Sequence, residues 1–251
     1  MKKILSLLKF QLKVLSAYFR NPRWNVAKLK EFLVYLAYYF MNLCYSSIII
    51  LYENNWLKKY PKLLSVDQKM TDSYADSNQF WVSLVASYKQ KTEKLHNLTY
   101  GETTYFSIYQ SLKFIELNEK DVFYDLGCGT GKTVFTANTI FGANSTGIEL
   151  IADFVDNANQ ISKELDLKNI KFLEKSIFEH NLKDGTVFYV TPTCFDPDNM
   201  KKLEEKFKTL PKNARVIILS KRMDLPNFKF LGQKELYYSW GKAHTFYYQV
   251  V

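Results

Sequence analysis

Val122-Phe-Tyr-Asp-Leu-Gly-Cys-Gly-Thr-Gly-Lys-Thr133 decides the fold, and Thr146-Gly-Ile-Glu149 completes the reading. An apolar strand runs into a glycine-rich turn, a helix follows, and a second short strand ends in an acid. Gly127, Gly129 and Gly131 let the backbone approach a ligand and supply the φ values of a tight strand-to-helix turn. Glu149, at the tip of the second strand, is placed to accept both hydroxyls of a ribose. Such an arrangement binds a nucleoside-containing cofactor, and the details choose which one.

Two better-known motifs fail here. A P-loop needs Gly, four residues, then Gly-Lys-Ser/Thr. Gly131-Lys132-Thr133 supplies the end, but Leu126 stands where the first glycine belongs. The dinucleotide fingerprint Gly-x-Gly-x-x-Gly, counted from Gly127, meets Lys132 at its last position. What remains is Asp125-x-Gly127-x-Gly129-x-Gly131. An acid inside the turn repels a pyrophosphate and suits the ammonium end of S-adenosylmethionine. The spacing resembles the first motif of the Rossmann-like methyltransferases, with Glu149 as the acid of the next. Gly131 and Lys132 close the expected set of cofactor contacts along the turn.

Outward from this turn the chain alternates. The pattern predicts strands near 122–126, 145–149, 170–174, 186–191 and 214–219, and helices near 104–116, 131–140, 151–166 and 198–209. Two last strands, near 229–238 and 244–250, surround Gly241. Regular alternation implies an α/β fold, a parallel sheet with helices on both faces.

The ends of this region sharpen the comparison. Tyr100-Gly-Glu-Thr103 precedes a helix, and Ser239-Trp240-Gly241-Lys242 followed by Phe246-Tyr-Tyr248 closes the chain. With Asp125-Leu-Gly-x-Gly-x-Gly131 and Gly147-Ile-Glu149, residues 100–251 resemble the histone-core lysine methyltransferases of the disruptor-of-telomeric-silencing type. The resemblance implies a Rossmann-like seven-stranded methyltransferase sheet whose last two strands form a hairpin. It implies that Tyr100, Glu102 and Thr103 form a loop over the methionine part of the cofactor. Asp125 would face the ammonium, Gly127 and Gly129 the backbone side, and Glu149 the ribose. Phe178 matches the aromatic that packs on adenine. Tyr189, Trp240 and Tyr247 would line a narrow channel for a lysine, with Thr191 and Tyr247 beside the transferred methyl group. Two positions depart from the pattern. Ile177 stands where the family often places an acid for the adenine amino group. Thr191 stands where it places an asparagine, and a hydroxyl has a shorter reach.

Composition bounds the rest. Of 251 residues, 47% are hydrophobic, enough for one α/β domain and an accessory segment. Cys44, Cys128 and Cys194 show no paired spacing, and the three histidines form no cluster. No metal site is expected, and a reducing, cytoplasmic compartment fits. Residues 1–62 carry eleven Lys/Arg and two acids, so the whole net charge of +9 lies there, and residues 63–251 are neutral. This predicts a basic, apolar N-terminal helical segment over 1–62, a helical connector over 63–99, and a methyltransferase domain over 100–251. A basic segment suggests an anionic partner, either membrane lipid or nucleic acid. Residues 2–20 read as an amphipathic helix with Lys2, Lys9, Lys13 and Arg20 on one stripe. Residues 32–52 run without a charge and have the length of a bilayer span. Charge placement argues against a single span, because it would put the cofactor site outside the cell. Packing on the core or lying on a membrane surface fits better.

Three functions stay open at this point. The first is methyl transfer to a protein lysine. The second is transfer by the same fold to a small or lipid-linked molecule. The third is a non-catalytic module that keeps the cofactor turn.

Overall fold

The computed structural model describes residues 26–74, 82, 102–239 and 241–251. The helix expected over 2–20, most of the helical patch near 80–96, Tyr100 and Trp240 lie outside the described residues.

Helix α1 (Val26–Leu57) and helix α2 (Pro61–Ser73) come first, then α3 (Tyr105–Phe114). The alternating body follows as β1 (Val122–Leu126), α4 (Lys132–Phe141), β2 (Asn144–Glu149), α5 (Ala152–Glu164), β3 (Ile170–Glu174), β4 (Val187–Val190), α6 (Pro197–Phe207) and β5 (Arg215–Leu219). Strands β6 (Phe228–Tyr238) and β7 (Gly241–Val250) close the chain.

These make one seven-stranded sheet in the order β3-β2-β1-β4-β5-β7-β6. The first five strands are parallel, and β7 runs antiparallel to both β5 and β6. The hairpin implied by the resemblance is present. Central strands β1 and β4 are apolar on both sides because helices cover both faces of the sheet. Helices α3, α4 and α5 bury Ile108, Leu112, Phe135 and Phe154 on one face. On the other face α6 buries Leu203 and Phe207 against Phe188, Val216 and Ile218. The strand order reverses direction between β1 and β4. Open α/β sheets bind ligands at such a switch point, beyond the carboxyl ends of the strands.

Helix α1 has two different ends. Val34, Phe40, Met41, Ile48 and Leu51 are exposed, whereas Glu53, Trp56 and Leu57 are buried. The Trp56 ring packs on Tyr60, Phe106 and Tyr109, and Tyr109 in turn meets Phe141 of α4. The last turn of α1 therefore belongs to the core of the body, although its charge groups it with residues 1–62. No helix among the described residues is long and apolar enough to cross a membrane. Asn42, Ser46 and Ser47 interrupt the apolar run of α1.

Candidate active site

The glycine turn is built as its spacing demands. Gly127, Gly129 and Gly131 have φ of 92°, 52° and 87°, the left-handed region that L side chains avoid. The N–H groups of Gly127 and Cys128 both donate to the Ile148 carbonyl, at 2.9 and 3.1 Å, which ties the turn to the end of β2. A Cβ at Gly131 would lie 2.5 Å from Cε1 of Phe172, so packing excludes a side chain there as well. At Gly127 a Cβ would meet nothing within 4 Å. That glycine serves backbone conformation and leaves room for a ligand.

Two buried carboxylates stand at this turn. Asp125, the last residue but one of β1, is 3% exposed. Burial pushes its pKa up to about 8, against a hydrogen bond from Thr133 that lowers it and with the Glu149 charge adding to the rise. Glu149 is also raised by burial, opposed by three backbone donors. Its Oε2 accepts from Gly129 N at 2.8 Å, and its Oε1 accepts from Leu150 N at 2.7 Å and Ile151 N at 3.0 Å. A carboxylate has about four acceptor sites, so about one remains open on Oε2. Asp125 keeps more of its preference for a cation than Glu149 does, because fewer donors already satisfy it.

The opposite wall comes from far apart in the chain. Ser239 N donates to the Glu102 carbonyl at 3.0 Å, and Glu102 N donates to Ser239 Oγ at 3.1 Å. Thr103 bridges to Tyr238. Thr104 Oγ1 and Ser107 Oγ both donate to the Tyr237 carbonyl, at 2.9 and 2.6 Å. Thr104 also caps α3 by accepting from Ser107 N. The loop 102–104 is thus strapped to the end of the β6–β7 hairpin. Lys132, first residue of α4, turns its ammonium to the Glu102 carboxylate at 3.4 Å and lies 4.3 Å from the centre of the Tyr105 ring.

Between these walls lies a cavity of about 410 Å3. Ser176, Ile177 and Phe178 line one end, and Tyr189, Thr191 and Phe195 line the side beyond β4. Thr191 leaves β4 into a short 3-10 turn over Pro192–Cys194 and lines the cavity there. The Tyr189 hydroxyl is buried, with Thr103 beside it.

Residues 79–236 match the family described as Histone methylation protein DOT1. The chain belongs to this family. Methyltransferase phqN of Penicillium fellutanum is 29% identical over 105 residues, covering 40% of this chain and 32% of that protein. The H3 lysine-79 specific histone-lysine N-methyltransferase of Dictyostelium discoideum is 30% identical over 123 residues, covering 43% of this chain and 7% of that one. The chain thus spans less than a third of the length of either relative in the aligned region. Among solved structures, TrmN from Thermus thermophilus superposes with a TM-score of 0.52 at 16% identity, over 59% of this chain and 49% of that one. That likeness is one of fold.

Seen within the family, most of the sequence-predicted residues converge. Glu102, Thr103, Asp125, Gly127, Gly129, Lys132, Glu149, Ile177, Phe178, Tyr189 and Thr191 all line the one cavity. Gly131 is the N-cap of α4 and holds the turn without lining the cavity. Tyr247 does not line it either. Its β7 position pairs with Ile217 in the middle of β5, below the ligand edge. Its hydroxyl donates to Ser111 Oγ at 3.2 Å and its ring lies 4.2 Å from that of Phe114. Burial pushes its pKa up to about 12, which keeps the phenol neutral. Tyr100 and Trp240 lie outside the described residues. Sequence reasoning missed Cys128, Ser239 and Asn199, which also line the cavity. Ser239 adjoins Trp240 in a stretch that the resemblance already marked, and that was the available signal.

Proposed function

We propose that this chain transfers a methyl group from S-adenosylmethionine to a lysine side chain of a protein. The observation that carries the reading is the buried Asp125 beside Glu149 on a left-handed glycine turn, all facing one cavity. Burial disfavours the charge of such an acid, and a cationic ligand restores it. Asp125, Glu102 and Thr103 would hold the methionine end of the cofactor, Glu149 the ribose, and Ile177 with Phe178 the adenine. When bound, the cofactor supplies an electrophilic methyl group on a sulfonium.

The chain's own residues then have simple tasks. A lysine amine must be neutral to attack, against a reference pKa of about 10.4. Apolar walls from Tyr189 and Phe195 exclude water and disfavour the ammonium. The Thr191 hydroxyl accepts a hydrogen bond from the amine and orients it. Holding the reacting atoms about 3–3.5 Å apart supplies much of the rate.

Titration calorimetry with S-adenosylmethionine, NAD and ATP tests the cofactor. Binding of ATP or NAD without S-adenosylmethionine would sink the reading. Methyl-labelled cofactor, incubated with core histones and with a whole lysate, tests the acceptor. Label in protein, acid-stable and lost in Thr191→Ala, is the expected result. Label confined to lipid or small molecules defeats the lysine assignment.

The exposed apolar side of α1 favours a second reading of the acceptor and of the partner. Met41, Ile48 and Leu51 lie on its exposed side with no charge from residue 32 to 52, and the excess charge of +9 lies in residues 1–62. On this reading the segment holds the chain on an anionic membrane surface, with the apolar side against the acyl boundary. The acceptor is then a lipid-linked molecule. Co-sedimentation with anionic and neutral vesicles, and with duplex DNA, tests the surface. Equal retention on neutral and anionic vesicles would remove the electrostatic part.

A further inference from the structure

The part of α1 that enters the body carries a carboxylate. Glu53 is 6% exposed, although it belongs to the segment that sequence alone sets apart from the cofactor motifs. Its Oε1 accepts a hydrogen bond from the backbone N–H of Tyr105, the first residue of α3. Its Oε2 lies 3.9 Å from Nζ of Lys132, the first residue of α4. Glu53 does not itself line the cavity.

Lys132 is in a place that would not normally hold a cation. It is 8% exposed and sits in the first turn of a helix, where the backbone dipole is positive. Burial alone would lower its pKa, yet Glu102, Glu53 and Asp67 together outweigh burial and raise it. The ammonium lies between two carboxylates from separate elements, Glu102 on the cofactor loop at 3.4 Å and Glu53 on α1 at 3.9 Å, with the charge of Asp67 on α2 adding to the field. The Tyr105 ring adds its face at 4.3 Å.

We propose that Glu53 is a positioning residue for the cofactor, fixing Lys132 and the loop 102–104 from beneath while the β6–β7 hairpin fixes the same loop from above. One carboxylate touches both ends of the problem. Through Tyr105 N it anchors the start of α3, one residue after the loop. Through Lys132 it sets the position of the cation that holds the Glu102 side chain. Lys132, Glu102 and Thr103 all line the cavity, so a shift of this group reaches the bound cofactor directly. Loss of one partner of a buried ion group leaves the others to rearrange. The N-terminal segment then supports the cofactor site from outside the cavity and is not only an address, which departs from a reading by charge alone.

The inference rests on the proposed cofactor. Glu53→Gln keeps the shape and the Tyr105 contact and removes the charge. Titration calorimetry with S-adenosylhomocysteine on the full chain, for wild type, Glu53→Gln, Lys132→Gln and the double variant, tests it. Glu53→Gln is expected to weaken binding about tenfold, within the usual range of coupling between sites. Its KM for S-adenosylmethionine should rise with kcat kept at saturation. In the Lys132→Gln background the same change should add little, because the two act as one unit. Asn55→Ala, exposed on α1 about half a turn round the helix from Glu53, should bind as wild type. Wild-type affinity in Glu53→Gln, or losses that add fully in the double variant, would overturn the inference alone. Failure of the wild-type chain to bind S-adenosylhomocysteine would overturn the cofactor reading and this inference with it.

Discussion

The two walls of the cavity are built in opposite ways. The turn wall, from Asp125 to Ile151, is one contiguous stretch whose hydrogen bonds close over short sequence distances, as from Gly129 to Glu149. The strap wall joins residues 137 apart, as Glu102 to Ser239, and draws in Glu53 through Tyr105 from 52 away. The first wall is rigid for local reasons: left-handed glycines, a helix start and a carboxylate that accepts from three backbone donors. The second holds only while the hairpin, α1 and α3 stay docked. Substitutions in the turn wall should therefore damage the fold and binding together, and substitutions in the strap should change binding with little loss of stability.

The largest effect is expected from Gly131→Ala. The residue must take φ of 87°, and its Cβ would lie 2.5 Å from Phe172. A left-handed L residue and overpacking together cost about 3 kcal/mol. Chemical denaturation should show that loss in the free protein. A wild-type midpoint would mean that the turn wall is not rigid in the way described.

Next comes Glu149→Ala. It removes the acceptor of three backbone donors and the proposed ribose contact. Cofactor affinity should fall by about 1.5–3 kcal/mol, the scale of a hydrogen bond to a charged group. Calorimetry reads this, and a loss in stability should accompany it. Intact stability would show that the turn does not depend on this carboxylate.

The pH dependence follows from Asp125. Its folded, ligand-free pKa is about 8, so it is mostly protonated at neutral pH. A cationic ligand favours the carboxylate, so binding releases a proton below that pH. Affinity should rise with pH and level off above about 8, gaining roughly fiftyfold from pH 6 to 8 if no other group intervenes. Calorimetry in buffers of different ionisation enthalpy should count about one proton released near pH 6.5. The stability sign is opposite. Asp125 contributes most to folding below its unfolded value of about 3.9, and that contribution is lost as pH rises through about 8. Asp125→Asn should flatten the binding profile. A profile unchanged in that variant would assign the proton elsewhere.

Smaller effects belong to the strap and the core. Ser239→Ala removes one hydrogen bond to the loop and should weaken cofactor binding by about 1 kcal/mol with the denaturation midpoint nearly kept. An equal loss in free-protein stability would erase the contrast between the walls. Tyr247→Phe removes the bond to Ser111 outside the cavity. It should lower stability by about 1 kcal/mol or less and leave turnover alone. A drop in kcat at unchanged cofactor affinity would return Tyr247 to the acceptor site.

Much of this molecule was legible before any coordinates. The order of strands and helices from residue 104 onward is written in short apolar runs and periodic helices, whose patterns are local. The turn wall was legible for the same reason. Left-handed glycines, a buried acid at the end of β1 and an acid at the tip of β2 are properties of one stretch of chain, and local chemistry constrains them strongly. Tyr247 was not legible. A strand's alternation gives two faces but not how far along the sheet a residue sits, and pairing with Ile217 puts it below the ligand edge. Glu53 was not legible either. Its sequence neighbours, Tyr52 and Asn54, carry no charge, and its own charge belongs by composition to the N-terminal segment. Only the docking of α1 beside α3 and α4 brings it to Lys132, because a buried ammonium draws carboxylates from wherever the fold can supply them.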